Sequence, residues 1–326
     1  MKHLAKLSDT NIPMKNGAEI PALGFGTLIP NIADTVRATK AALEIGFRQF
    51  DCAERYRNEE AVGEAFQEVL GRGGVKREEI FVGTKLWNNN HRPERVKPAF
   101  GASLAALRVD YVDLYLIHTP FAFQPGAEQD PQDKRGEVIY DHGVTLLDTW
   151  GALEQLVEEG KCGAIGLANV NLEQLREVDG SARIRPAVVQ VESHPYLPQW
   201  DLLEFCKQTG MVFLAFAPLG HSFEPKLLDD PVIKNVARRA GMSPAQVCIA
   251  WGVQRGTAIL TTSTKVNHLR ESFEASFLSE SAINEISAIQ TLSVQQSRGN
   301  RGSRLHPPGK LICIDVSCWN RGGMRL

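Results

Sequence analysis

The chain has 326 residues, with 36 Lys and Arg against 38 Asp and Glu, 43% hydrophobic and 23% charged side chains. A net charge of −2 excludes nucleic acid and anionic membrane as main partners, because both need a strong basic field. No run approaches the ~20 apolar residues of a membrane span, and residues 1–11 lack the apolar stretch of a secretory signal. Six scattered cysteines without a CxxC pair read as free thiols of a cytoplasmic protein, not as a disulfide framework or zinc module.

In chain order, Asn16-Gly17 between two short apolar stretches predicts an N-terminal β-hairpin, since Asn-Gly suits the tight turn. Eight apolar runs follow, at 23–27, 47–51, 80–86, 112–118, 163–169, 188–193, 212–218 and 258–262. Their nearly continuous apolar character is that of parallel strands covered on the outside by helices. Between them the apolar residues take helical spacing. Ala38, Ala41, Ala42 and Ile45 form one stripe, and Ala61, Val62, Ala65, Phe66 and Leu70 form the next. Helices are likewise predicted at 96–107, 146–159, 172–178, 202–209, 243–254 and 269–277. Eight β-α units in some 270 residues fit a closed (β/α)8 TIM barrel spanning residues 1–290. An open dinucleotide-binding sheet needs G-x-G-x-x-G after an early strand, and Gly24-Phe-Gly26-Thr27 lacks the third glycine.

The end of the chain differs. Residues 291–326 hold five arginines and one lysine against one aspartate, which leaves −7 on residues 1–290. Their Gly, Ser, Arg and Pro content predicts an irregular basic tail, with a short strand at 311–316 as its one ordered piece. The segment 121–142 is long for a barrel loop and is expected to act as a mobile lid.

Barrel active sites lie at the C-terminal ends of the strands. There the sequence places Asp51, Lys85 and His118, with Tyr56 on the loop leaving the Asp51 strand. Charges in apolar runs need partners, which predicts an Asp51–Lys85 pair. A lysine beside Tyr56 is expected to lower its pKa and make it a proton donor to a developing alkoxide, with His118 orienting the carbonyl. A metal-dependent hydrolase built on His118, His194 and Asp51 or Glu192 is the weaker reading, because Lys85 would repel a cation.

Gly46-Phe-Arg-Gln-Phe-Asp51-Cys-Ala-Glu-Arg-Tyr56-Arg-Asn-Glu-Glu-Ala-Val-Gly resembles the signature of the aldo-keto reductases. Val82-Gly-Thr-Lys85-Leu-Trp, Val109 to Pro120, Gly160 to Asn169, Gln190 to Tyr196 and Phe216 to Gly220 are similar to that family too. The resemblance implies a barrel that reduces aldehydes and ketones with a nicotinamide cofactor, Tyr56 acting as general acid and Asp51, Lys85 and His118 completing the set. It implies cofactor contacts at Gly26, Thr27, Asn169, Gln190, Phe216, Leu219, Ser263, Thr264, Lys265, His268 and Ser272. The usual serine before the asparagine is Ala168, the usual stacking tyrosine is Phe216, and the usual lysine and arginine near the 2′-phosphate are Thr262 and His268. Lys265 at a helix start remains an anion site, so NADP(H) is favoured over NAD(H). Leu28, Trp87, Phe121 and Phe123 are expected to line an apolar mouth for a small carbonyl substrate. A monomer is expected, with a dimer or a non-catalytic, cofactor-binding subunit as alternatives.

Overall fold

The computed structural model describes residues 6–220 and 226–289. The basic tail and its expected strand at 311–316 lie outside the described residues.

The predicted hairpin forms. β1 (Asn11–Pro13) pairs antiparallel with β2 (Glu19–Pro21), and Gly17 takes the left-handed conformation at φ 85° that its turn requires. Met14 and Ile20 from this hairpin are buried with Phe81, Leu114, Val188, Val212 and Ala258, residues that begin barrel strands. The hairpin therefore plugs the N-terminal end of the barrel.

The eight apolar runs become β3 (Leu23–Gly26), β4 (Gln49–Asp51), β5 (Phe81–Leu86), β6 (Leu114–Ile117), β7 (Ile165–Ala168), β8 (Val188–Glu192), β9 (Val212–Phe216) and β10 (Ala258–Thr261). They pair in parallel, in sequence order, and β10 closes on β3. Each observed strand is shorter than its apolar run, because the ends of the runs already belong to the loops.

Six helices cover the first part of the barrel: α1 (Ile32–Ile45), α2 (Glu59–Gly71), α3 (Pro93–Leu107), α4 (Leu146–Glu158), α5 (Leu172–Ser181) and α6 (Trp200–Thr209). Four more follow, α7 (Pro231–Ala240), α8 (Pro244–Gln254), α9 (Val266–Phe273) and α10 (Glu280–Ser287). The sequence reading omitted α7 and α10, and it began α9 three residues late. α7 carries plain boundary chemistry. Asp230 accepts from the N–H groups of Val232 and Ile233, Pro231 opens the helix, and Gly241 ends it at φ 64°. A β-α unit carries one helix per strand, and the stretch between β9 and β10 holds two, α7 and α8.

Alternation along the strands separates two layers. Tyr115 and Ile117 pack outward against the helices, and Leu114 and Leu116 point into the barrel. In β5 the register pairs Thr84 with Tyr115 and Lys85 with Leu116, so Thr84 faces the helices and Lys85 faces the barrel axis. The outer layer near the site is aromatic. Phe50 meets Phe25 and Phe66 edge-on at 6.0 and 5.3 Å between ring centroids, a geometry that adds to simple burial. A buried phenylalanine of this kind is worth about 3–5 kcal/mol against alanine.

Candidate active site

The C-terminal rim is built from consecutive strands. Asp51 is the last residue of β4, Lys85 the penultimate residue of β5, and His118 follows β6. Tyr56 ends a 3-10 turn, Glu54–Tyr56, which carries the chain from β4 toward α2. The four side chains meet. The Lys85 ammonium donates to Asp51 Oδ2 at 2.7 Å, to the Cys52 carbonyl at 2.8 Å and to the Tyr56 hydroxyl at 3.1 Å. The His118 ring lies edge-on to Tyr56, centroids 5.8 Å apart. Asp51 Oδ1 accepts from Gln190 Nε2 at 2.8 Å, so β8 reaches across to the same carboxylate.

Electrostatics follow from this geometry. Burial opposes the charge on Lys85, yet Asp51 and Tyr56 together outweigh it and hold the ammonium above the usual lysine range. For Tyr56 the balance falls the other way. Burial pushes the phenol up to about 12, against the pull of Lys85. The sequence reading expected a lowered value because it counted the lysine and not the desolvation. A neutral phenol donated toward by an ammonium holds its proton through the neutral range and releases it only to a strongly basic oxygen. His118 is held well below the usual histidine range, first by burial and then by Lys85, so its imidazole is neutral. Its Nδ1 has no hydrogen-bond partner among the described residues.

The remaining rim positions are suited to a flat amide-bearing ligand. Asn169 follows β7 in the left-handed conformation at φ 57° and gives its amide N–H to the His118 carbonyl at 2.8 Å. Asn169 and Gln190 thus spend an N–H on the protein and keep their amide oxygens as acceptors. Phe216 ends β9, half-buried, and the next residue, Ala217, holds φ 49°. Such conformations are costly for non-glycine residues and cluster where a ligand is gripped. Leu219 is half-buried in the same turn. A Cβ on Gly26 would lie 2.6 Å from the Thr262 hydroxyl, so a side chain there would displace that threonine. The Thr27 hydroxyl is held on the Asp51 carbonyl at 3.0 Å.

Beyond β10, the Ser263 hydroxyl accepts from the Lys265 N–H at 3.1 Å, and α9 starts at Val266. Lys265 and His268 are exposed, with Ser263, Thr264 and Ser272 half-buried. A helix N-terminus with a solvated lysine can hold a phosphate. These residues fit a nicotinamide dinucleotide laid from β7–β9 to the start of α9. Among the described residues no group of three His, Cys, Asp or Glu could hold a metal ion.

Of the expected mouth residues, Trp87 and Phe123 are buried and pack edge-on at 5.9 Å, while Leu28 and Phe121 are half-buried. Trp87 also meets the His118 ring at 5.0 Å. The segment 121–142 is anchored at many points. Gln129 gives its carbonyl to the Trp87 indole N–H at 2.8 Å, and Gly126 gives its own to Asn89 and Arg95. Sequence reasoning missed Glu54, Arg55, Gln129, Asp130 and Tyr140 around this mouth, since nothing local marks them.

Barrel and rim together define a (β/α)8 enzyme. The family model of the Aldo/keto reductase family matches residues 22–291. Aldo-keto reductase family 1 member A1 of Gallus gallus is 44% identical over 260 residues, covering 77% of this chain and 79% of that protein. Prostaglandin F synthase 1 of Bos taurus is 41% identical over 276 residues, 81% of this chain and 85% of its own. The structure of the aldose reductase from Schistosoma japonicum aligns with TM-score 0.82 at 37% identity, over 86% of this chain and 92% of that one. The chain belongs to the aldo/keto reductase family. It is an oxidoreductase of a family that acts on small carbonyl compounds with nicotinamide cofactors. No described helix is long and apolar enough to cross a membrane.

Proposed function

We propose that this chain reduces aldehydes and ketones to alcohols with NADPH, Tyr56 supplying the proton. The observation that carries the reading is the buried Lys85 ammonium, 2.7 Å from Asp51 and 3.1 Å from the Tyr56 hydroxyl. A bound dihydronicotinamide supplies a hydride to the carbonyl carbon. Tyr56 donates its O–H to the carbonyl oxygen, whose basicity rises as the carbon is reduced. The resulting phenolate is stabilised by Lys85, which Asp51 keeps charged and in place. The neutral His118 orients the carbonyl oxygen without competing for the proton. Asn169 and Gln190 offer amide oxygens to the carboxamide of the cofactor, and Phe216 offers a flat face to its ring.

NADPH is preferred over NADH because Lys265 and the start of α9 present positive potential where a 2′-phosphate would lie, with Ser263, Thr264, His268 and Ser272 around it. The protein acts as a cytoplasmic monomer. The four described cysteines are free and buried, as suits a reducing compartment. The test is loss of NADPH absorbance with aromatic and aliphatic aldehydes, repeated with NADH. Turnover faster with NADPH is expected. Tight cofactor binding without turnover on any aldehyde would overturn the catalytic reading in favour of a cofactor-binding subunit.

A further inference from the structure

Next to the proton-donating tyrosine lies a buried ion pair that this mechanism does not use. Arg55 precedes Tyr56 in the 3-10 turn, and its guanidinium grips Asp130 with two contacts, Nε to Oδ1 at 3.1 Å and Nη2 to Oδ2 at 2.6 Å. Both side chains are only 7% exposed. Asp130 belongs to the long segment after β6, so the pair ties that segment to the turn bearing Tyr56. Neighbouring contacts run the same way. Arg57 donates to Gln129 Oε1 at 2.7 Å, Gln129 Nε2 donates to the Glu54 carbonyl at 3.2 Å, and Glu54 accepts from the Trp87 N–H at 3.1 Å.

A buried ion pair adds little net stability, because desolvation offsets its attraction. Its two-point geometry, however, fixes orientation closely. What it orients here is Trp87. The Arg55 guanidinium lies over the indole at 5.4 Å, and the indole N–H is held by the Gln129 carbonyl, one residue before Asp130. From Trp87 an aromatic wall runs outward from His118. Trp87 meets Phe123 at 5.9 Å, and Phe123 meets Tyr140 at 5.5 Å, every pair edge-on. Tyr140 ends the wall at 47% exposure.

We infer that Asp130 is a positioning residue for substrate selection. By clamping Arg55 it fixes the wall Trp87–Phe123–Tyr140, which favours aromatic aldehydes over short aliphatic ones. The inference rests on the carbonyl-reductase reading above. An aromatic ring resting on the small open edge of Trp87 and on Tyr140, both seated against the buried Phe123, gains contacts that a three-carbon aldehyde cannot reach. Loss of the clamp therefore weakens binding of the ring and leaves the proton and hydride chemistry intact.

The test is steady-state kinetics with benzaldehyde and propanal at saturating NADPH, on the wild-type chain and on Asp130→Asn, Asp130→Glu and the double variant Arg55→Met/Asp130→Leu. Asp130→Asn is expected to raise KM for benzaldehyde at least tenfold, with kcat on propanal within twofold of wild type. Asp130→Glu, which restores the charge, is expected to recover most of the benzaldehyde KM. The double variant replaces the pair with apolar side chains, so it is expected to match the wild-type melting temperature while keeping the high KM. Recovery of both by the double variant, or an unchanged KM in Asp130→Asn, overturns the inference and leaves the reductase reading standing. Failure of both the Asn and the double variant to fold also overturns it, since the pair then holds the barrel and not the wall. Wild type inactive on both aldehydes overturns the reductase reading, and this inference with it.

Discussion

Tyr56 and Glu59 stand three positions apart and show what burial does to an ionisable group with and without a cation hydrogen-bonded to it. Both are pushed toward their neutral forms by desolvation. Tyr56 has Lys85 against its hydroxyl, ready to balance the negative charge left on the oxygen when the proton leaves. Replacing it with phenylalanine removes the transferable proton and little else. Carbonyl reduction by Tyr56→Phe is therefore expected to fall by about 10²–10⁴-fold in kcat, with NADPH affinity by fluorescence titration unchanged. Glu59 has only hydroxyls, Thr84 at 2.5 Å and Ser103 at 2.8 Å, and its carboxyl rises to about 7. The folded chain thus binds the Glu59 proton more tightly than the unfolded chain does. The stability this contributes is complete below the ordinary carboxyl pKa near 4.5 and is lost as pH rises through 7. Glu59→Gln keeps a hydrogen-bonding amide there and removes the titration. Its unfolding free energy relative to wild type, from urea melts, is expected to improve by about 2–3 kcal/mol between pH 5 and pH 8.

At the scale of elements, helix α2 is seated by one absent side chain. A Cβ on Gly63 would lie 2.2 Å from the Ala106 carbonyl oxygen and 2.8 Å from the Leu107 carbonyl carbon, both backbone atoms of α3. Gly63→Ala must push the two helices apart, and since α2 follows the turn bearing Tyr56, the strain reaches the site. A loss of about 1–3 kcal/mol in urea unfolding is expected, with kcat falling alongside. A variant as stable as wild type would show that the helices separate freely. The elements also explain what could be read in advance. The eight strands and most barrel helices announce themselves because a parallel strand buried on both faces is apolar throughout and a covering helix is apolar on one stripe. Asp51, Lys85 and His118 stand out against those strands because charge at the end of an apolar run demands a reason. The grip of Arg55 on Asp130 spans 75 positions and leaves no local trace. The direction of the Tyr56 shift was hidden for a similar reason: the lysine is visible in the sequence, and the depth of burial is not.

For the molecule as a whole, cofactor choice is read through stability. A ligand that binds only the folded chain raises its unfolding free energy by about 2.7 kcal/mol at a hundred times its dissociation constant. With NADPH and NADH at equal concentration, the melting temperature is expected to rise more with NADPH. Lys265→Ala is expected to shrink the NADPH rise toward that of NADH and to leave the NADH rise within error. Lys265 is exposed, so the apo melting temperature should not change. Equal losses for both cofactors would remove Lys265 from the phosphate site and leave the helix start alone to choose.

The carboxylate of Asp51 is shared by Lys85, 34 positions away, and by Gln190, 139 positions away. Those two partners come from opposite halves of the chain, so the site has a birth order during synthesis. A nascent chain that has exposed β3 to β6 can form the Asp51–Lys85 pair, yet the second oxygen of Asp51 waits until β8 arrives. Contacts of such long sequence separation form late and slowly. The full partner set of Asp51 is therefore completed only once β8 has joined the sheet, long after Lys85 has been made.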